Sequence, residues 1–309
     1  MTKINDLELT NDLFEKLEDS EKNSEFIAIE SKTFVQDAWN RFSKNKLALF
    51  GLIFVIVMIL LAIFVPIFSK FGYDTQDLQN RNALPSLVHI FGTDKLGRDI
   101  FVRVMYGARI SLSIAFASAF INLFIGIFYG GFAGYVGGRV DMFLMRTVDI
   151  IYSVPSLLYV ILILMVFGNN AISMIIAISV TSWVGMARQV RSQVMSLKET
   201  EFAMAAKVIG ASHYRILIKH LIINAIGPII VTLTMMVPSV IFTESFLSFV
   251  GIGISAPQSS WGVLLNESRS LVFTNPIQII WPVMAMSLTI LSLNFIGDGA
   301  GEALDPNSH

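Results

Sequence analysis

Residues 200–224 read TEFAMAAKVIGASHYRILIKHLIIN, a polar island between two stretches, 171–187 and 225–252, that are apolar almost throughout. The island is patterned as two short amphipathic helices broken at Gly210. Thr200 is placed to cap the first helix, and Glu201 suits its positive N-terminal end. Residues 202–209 continue that helix through the tight pair Ala205-Ala206. Gly210 supplies the left-handed conformation that ends a helix, and Ser212 can cap the next one. The apolar face Phe202, Ala205 and Ile209 is expected to hold the first helix in place. Ala205, Ala206 and Gly210 leave room for close backbone approach by a partner. Arg215 and Lys219, four apart, share a face that suits a partner's carboxylates or lipid phosphates; a solvated basic face has the same spacing. A shaped helical knob outside an apolar bundle reads as a docking element, against the alternative of an ordinary loop.

Working outward, composition sets the class. Hydrophobic residues make up 54% of the 309 positions and charged ones 15%, where a soluble domain carries about a quarter. The absence of cysteine excludes disulfides, Cys-based zinc sites and iron–sulfur clusters, and the four histidines, His89, His213, His220 and His309, are scattered. A net charge of -1 hides an asymmetry: residues 1–37 hold ten acidic and four basic side chains. This segment reads as a solvated tail, with a short helix near 33–45 leading to the membrane. It is not a signal peptide, because the first apolar run starts near position 47 and is too long for one.

A hydrocarbon core about 30 Å thick needs about 20 apolar residues in a helix. Six stretches qualify: 47–69, 111–137, 143–167, 171–189, 225–252 and 277–297. The third contains Asp149 and Pro155, the fifth Pro228, Pro238 and Glu244, and the sixth Pro282; such prolines often mark bends. The connection Gly168-Asn169-Asn170 is short enough to make spans three and four a tight antiparallel pair. The expected organisation is a tail over 1–46, a first span with an outer loop over 47–110, a main membrane domain over 111–298 and a tail over 299–309.

Lysine and arginine placement gives orientation. Arg41, Lys44 and Lys46 precede the first span, Arg139 and Arg146 flank the next inner loop, and Arg188, Arg191, Lys198, Lys207, Arg215 and Lys219 crowd the island. Loop 168–170 has no basic residue and 253–276 only Arg269. Both termini are therefore expected in the cytoplasm. Loop 70–110, placed outside, disagrees: Lys70, Arg81, Lys95, Arg98, Arg103 and Arg109 face four aspartates. Basic residues beside acidic partners in a structured loop count less, so the six-span arrangement stands.

The run Ala205-Ala206, Gly210-Ala211-Ser212, then His220 and Asn224, resembles the "EAA" loop of inner-membrane subunits of ATP-binding-cassette importers. Further matches extend the resemblance to the dipeptide, oligopeptide and nickel branch over residues 40–306. They are Phe91-Gly92-Thr93-Asp94 with Gly97-Arg98-Asp99, then Arg103, Gly107, Arg109 and Ser111-Leu112. Asp149 with Pro155-Ser156-Leu157-Leu158 continues them, as does Glu244 with Leu247-Ser248-Phe249 and Gly251-Ile252-Gly253. Trp261-Gly262, Gly297-Asp298-Gly299 and Ala303-Leu304-Asp305-Pro306 complete the series. The long first loop is similar to that of the C-type subunit of the paired permeases. The chain departs from the pattern at Met204, the first triplet position, with the acid three earlier at Glu201. Ile223 stands where proline is usual, so the turn into span five is expected to be a continuous helix. The tail lacks the usual basic residues after Asp305-Pro306.

The resemblance implies an all-α membrane protein with six transmembrane helices, a type I ABC importer permease fold, and cytoplasmic coupling helices seated in an ATPase cleft. On that basis the coupling residues are Glu201, Ala205, Ala206, Lys207, Gly210, Ala211, Ser212, Arg215 and Lys219. The implied partners are a homologous second permease, two cytoplasmic ATPases, an extracytoplasmic binding protein and a peptide substrate, in a bacterial cytoplasmic membrane; no nucleic acid is implied. No phosphate-binding G-x-x-x-x-G-K-[ST] loop occurs, so ATP and its magnesium belong on the ATPases and the chain is not itself an enzyme and needs no cofactor.

Other ionisable residues admit two readings each. Glu244, deep in a span, should face the bundle interior or a water-filled path; it is a pathway candidate, or a structural partner of Thr243, Ser245 or Asn294. Asp149 is expected to pair with Arg146 one turn away. Asp94, Arg98, Asp99 and Arg103 are candidates for docking the binding protein, or for bracing a short helix into span two. A secondary transporter would need coupling carboxylates and repeats around broken helices, and only Glu244 lies deep. An intramembrane enzyme finds no support: Gly210-Ala211-Ser212-His213 lies in the loop without buried partners, and H-E-x-x-H is absent. With no cysteine, and no histidine in any span, peptide is favoured over nickel.

Overall fold

The computed structural model describes residues 33–255 and 257–304. Most of the acidic tail, and the Asp305-Pro306 pair, lie outside the described residues. The short helix expected near 33–45 is α1 (Phe34–Lys44). Asn45 then starts α2 (Lys46–Phe68), its side chain accepting from the amides of Leu47 and Ala48, both at 3.1 Å. That carboxamide satisfies two of the helix's unpaired donors.

The second span begins earlier than hydropathy suggests. α3 (Ile100–Val136) is 37 residues long, about 55 Å at 1.5 Å per residue. Its N-cap is Asp99, whose carboxylate accepts from the Val102 amide at 2.9 Å. Arg103 and Arg109 had masked this start, because charges in the first turns lower the local hydropathy of a helix that projects beyond the bilayer core. Gly137, at φ 71°, ends it.

The expected third span, 143–167, is broken. α4 (Gly138–Ser153) and α5 (Ser156–Phe167) meet at 79°. Pro155 has no amide to donate and forces Val154 into an extended conformation (φ -94°, ψ 131°). Among the described residues, five helices are long and apolar enough to cross a membrane, or six where the bent pair counts as one broken span. α5 leads through Gly168 and Asn170 into α6 (Ala171–Lys198), and the two pack together as the short connection required. α6 continues nine residues beyond the expected end at 189.

The island contains α7 (Glu201–Val208) and the single turn α8 (His213–Arg215), followed by a π-helical stretch (Ile216–Ile222) that runs into α9 (Ile226–Val250). α10 (Trp261–Ser268) lies beyond α9, and α11 (Ile277–Leu304) ends the described chain. The last span therefore persists past 298, where a tail had been expected. Its end is tied back by Asn45 Nδ2, which donates to Glu302 at 2.8 Å.

Contacts between α3 and α6 dominate the packing, and the reason is visible in the sequence. Gly126, Gly130 and Gly134 recur every four residues on α3. A methyl group added at these positions would run into Met186, the Ala187 carbonyl and the Arg191 carbonyl of α6. Small residues at such spacing let two backbones approach closely, and dispersion contacts then replace the hydrophobic effect that lipid cannot supply.

Candidate functional site

The island folds as its punctuation requires. After Val208 the chain closes a Schellman motif: Gly210, at φ 81°, donates to the Lys207 carbonyl (3.1 Å) and Ala211 to the Ala206 carbonyl (3.0 Å). Ser212 caps the following turn by accepting from the Arg215 amide at 3.3 Å. Thr200 occupies the N-cap position of α7 without a side-chain cap; its hydroxyl donates to the Leu197 carbonyl at 2.6 Å instead. Ile223 is helical (φ -62°, ψ -41°), so the absence of proline there leaves the passage into α9 almost uninterrupted.

The face that holds α7 is not the expected one. Ala203 and Ala206 are buried, packing in a cluster with Val190, Val194, Ile216, Leu221 and Ala225. Phe202, Ala205 and Ile209 point the other way and are exposed, as are Met204, Val208 and Tyr214; Val208 and Ile209 are 86% and 83% exposed. Residues 203 and 206 form one i, i+3 stripe, and 202, 205 and 209 another. Both stripes are apolar, so hydropathy could not choose between them. Glu201, Lys207, Ser212, Arg215 and Lys219 are exposed around this outer apolar surface, with Gly210 also exposed and Ala211 half-buried. An amphipathic helix whose apolar side faces outward is suited to burial by another molecule.

The helix on which the knob packs, α6, is joined to α4 by charge. Arg191 on α6 makes two hydrogen bonds to Asp141 on α4 at 2.5 Å. Asp149 pairs with Arg188 on α6 at 2.9 Å, and that guanidinium lies 4.5 Å from the Tyr152 ring centroid. This corrects the expected Asp149–Arg146 pair: α6 runs alongside α4 and presents Arg188 and Arg191 three residues apart, so the tertiary partners win over the local one.

Glu244 is fully buried on α9. Its carboxylate accepts from Ser111 Oγ (2.8 Å), Ser248 Oγ (2.9 Å) and Ser245 Oγ (3.3 Å). Ser111 Oγ in turn accepts from the Trp261 amide at 3.3 Å, and the Trp261 indole donates to the Val104 carbonyl at 3.2 Å. The three serines therefore tie α3, α9 and α10 at one point. Of the partners expected, Ser245 is present, while Thr243 donates to the Ser239 carbonyl. Ser111 and Ser248 were missed, although Ser248 sits one turn after Glu244.

The loop cluster is also turned inward. Asp94, Asp99 and Arg103 are buried and Arg98 nearly so. Asp94 accepts from Arg98 and Arg103, each at 2.7 Å, and Glu267 on α10 accepts from the same two at 2.6 and 2.8 Å. Asp99 pairs with His89 Nδ1 at 2.8 Å. Buried charges cannot offer a docking face, so the bracing alternative describes the geometry. Glu267 was missed, yet it is the lone acid of segment 253–276 and faces a loop rich in arginine. Burial alone would raise the Glu267 carboxyl; the hydrogen bond and charge of Arg103, with the charge of Arg98, outweigh it and hold the group below its ordinary value.

Residues 123–308 match the family described as the binding-protein-dependent transport system inner membrane component. The chain belongs to that family. Residues 33–85 match a second model, the N-terminal TM domain of oligopeptide transport permease C. Among curated inner membrane components, the oligopeptide transport system permease protein OppC of Bacillus subtilis (strain 168) is 43% identical over 96% of this chain and 98% of its own length. The dipeptide transport system permease protein DppC of the same organism is 44% identical over 93% and 90%. The OppC of Escherichia coli (strain K12) is 43% identical over 93% and 95%. In fold, the chain is similar to an inward-facing conformation of the MetNI methionine ABC transporter, with a TM-score of 0.55 and 18% identity over 66% of this chain and 96% of that one. It is thus a multi-pass membrane protein with the type I ABC importer permease fold.

Proposed function

We propose that this chain is the C-type permease subunit of an ATP-driven importer of oligopeptides in a bacterial cytoplasmic membrane, with both termini in the cytoplasm. The single observation that carries the mechanism is the outward apolar face of α7, anchored from behind by Ala203 and Ala206. That face supports docking in a groove of a cytoplasmic ATPase, with Glu201, Lys207, Arg215 and Lys219 as its charged rim. When two ATPases close over ATP and magnesium, a knob fixed this way moves as a rigid body. α6 follows because α7 packs on it, and α3 follows because the glycine stripe locks it to α6. The stroke reaches the substrate path between this subunit and a homologous second permease. Glu244 then acts as an internal joint that keeps α3, α9 and α10 together, rather than as a peptide contact. The extracytoplasmic binding protein would dock on loop surfaces outside the buried cluster of Asp94, Arg98, Asp99 and Arg103.

A dipeptide substrate is the second reading, because the DppC relative is as similar as the OppC ones. Purification of the chain from its membranes, with Ala205→Arg beside it, tests the assembly. Recovery of two ATPases and a second permease, with the ATPases lost from the variant, is the expected result. A chain recovered alone that transports peptide in liposomes without ATP would overturn it. Competition of labelled pentapeptide uptake by unlabelled dipeptide separates the two substrate readings.

A further inference from the structure

Two cavities lie along the outer side of α3 and share one lining residue, Phe132. One, of about 820 Å³, lies between the end of α3 and the island; the other, of about 470 Å³, lies further along α3. Phe124, Phe128 and Phe132 line the second cavity and Phe132 and Val136 the first, a single exposed row spaced four residues apart that makes one apolar groove of the two. Twelve residues of helix make this groove about 18 Å long, close to the depth of one leaflet of a hydrocarbon core about 30 Å thick.

The groove is polar at one end only. Lys198, Lys207 and His213 line that end, and among the described residues no acidic side chain lines either cavity. Lys198 Nζ donates to the carbonyls of Tyr135 (3.1 Å) and Gly134 (3.4 Å), so the cation sits on the negative end of α3. The Tyr135 hydroxyl and His213 Nδ1 are 2.7 Å apart. Lys207 is exposed and has no ion-pair partner among the described residues. A leaflet-long apolar groove that ends in basic side chains, with Lys207 unpaired among the described residues, where a span stops at Gly137, has the polarity of a phospholipid with an anionic headgroup. Basic pockets between helix ends are where such headgroups bind.

We propose that this groove holds an anionic phospholipid of the cytoplasmic leaflet. One acyl chain lies along Phe132, Phe128 and Phe124, and the phosphate lies between Lys207 and Lys198. Because Ala203, Met204 and Lys207 of α7 line the same cavity, the lipid fills the space between the knob and α3 and couples their movements. The headgroup's placement in the cytoplasmic leaflet rests on the orientation proposed above.

The test uses the purified complete transporter in nanodiscs, with phosphatidylglycerol or phosphatidylcholine carrying a diazirine at the end of one acyl chain. Phosphatidylglycerol is expected to label residues 124–144 well above phosphatidylcholine. Lys207→Gln is expected to cut that preference about fivefold. Leu144→Trp, which fills the second cavity and leaves the basic end intact, is expected to move the label away from Phe124 and Phe128. Equal labelling by the two lipids, no label in 124–144, or a crosslink of this face to the second permease in place of lipid would each overturn the site. Peptide-stimulated ATP hydrolysis in the same preparation keeps the two readings apart. Hydrolysis without selective label removes the lipid site alone; selective label without peptide-stimulated hydrolysis upholds the site and removes the transport reading.

Discussion

Two regions at opposite ends of α3 handle polarity in opposite ways. At its N-terminal end, Asp94, Arg98, Arg103 and Glu267 are packed inward and satisfy one another. Beyond its C-terminus, Val208, Ile209 and Tyr214 stand in the open on the outer face of the island. A charged group accepts burial only with its partners in place, so the first region is a closed lock that three segments build together. An exposed apolar face is stable only as long as something else covers it, so the second is an unfinished surface. The charges of the loop are satisfied within this chain, and the apolar side chains of the knob are left exposed.

The largest expected effect breaks the knob itself. Gly210→Pro cannot adopt φ 81° and removes the amide that closes the Schellman motif; peptide uptake should be abolished while immunoblots show normal membrane insertion, and full uptake would end the rigid-knob mechanism. Next, arginine at two adjacent positions sharpens the contrast between inner and outer faces. Ala205→Arg should leave the chain stable but strip the ATPases in co-purification, whereas Ala206→Arg, forced into the packed cluster, should lower the amount of folded chain. Identical behaviour of the two would contradict the facing found here.

In the lock, Arg103→Ala leaves Asp94 and Glu267 to share Arg98 alone in a largely buried site. The cost should fall below the roughly 3–5 kcal/mol of an entirely unpaired buried charge, read as a fall in the melting temperature of the purified complex, with ATPase co-purification retained. Glu244→Gln should have a smaller effect. Its amide can still accept from one serine side and donate on the other, so modest destabilisation with unchanged KM for peptide is expected; altered peptide selectivity at full stability would make it a pathway residue instead. The smallest effect is in pH. Since the folded Glu267 carboxyl is held below its ordinary value of 4.5, its stabilisation is complete above that value and is lost as pH falls through the lower folded-state value. Proteolysis of the 69–99 loop should accelerate in that acid window, and Glu267→Gln should flatten the dependence.

Much of this was legible in residues 200–224. Gly210 and Ser212 punctuate the island as read, and Ile223 carries the helix forward. What hydropathy could not resolve were ends and partners. Arg103 and Arg109 hid the first turns of α3, and Pro155 bent the third span more sharply than a run of apolar residues suggests. Asp149 chose Arg188 over Arg146 because a neighbouring helix brought it closer, and sequence distance carries no such information. Glu267 and Ser111 joined their clusters from 164 and 133 residues away along the chain.

By itself, the sequence determined that this protein lives in a membrane, where its helices lie to within about three turns, and to which family it belongs. Those properties follow from local quantities: transfer free energy summed over about 20 residues, the conformational needs of glycine and proline, and side-chain identity at fixed spacing. Only the tertiary structure decided which stripe of α7 faces inward, which carboxylate meets which arginine, and that the loop charges are buried against one another. Each of those outcomes depends on what a neighbouring helix presents at a few ångströms, and two apolar stripes of one helix are equivalent until such a neighbour is there.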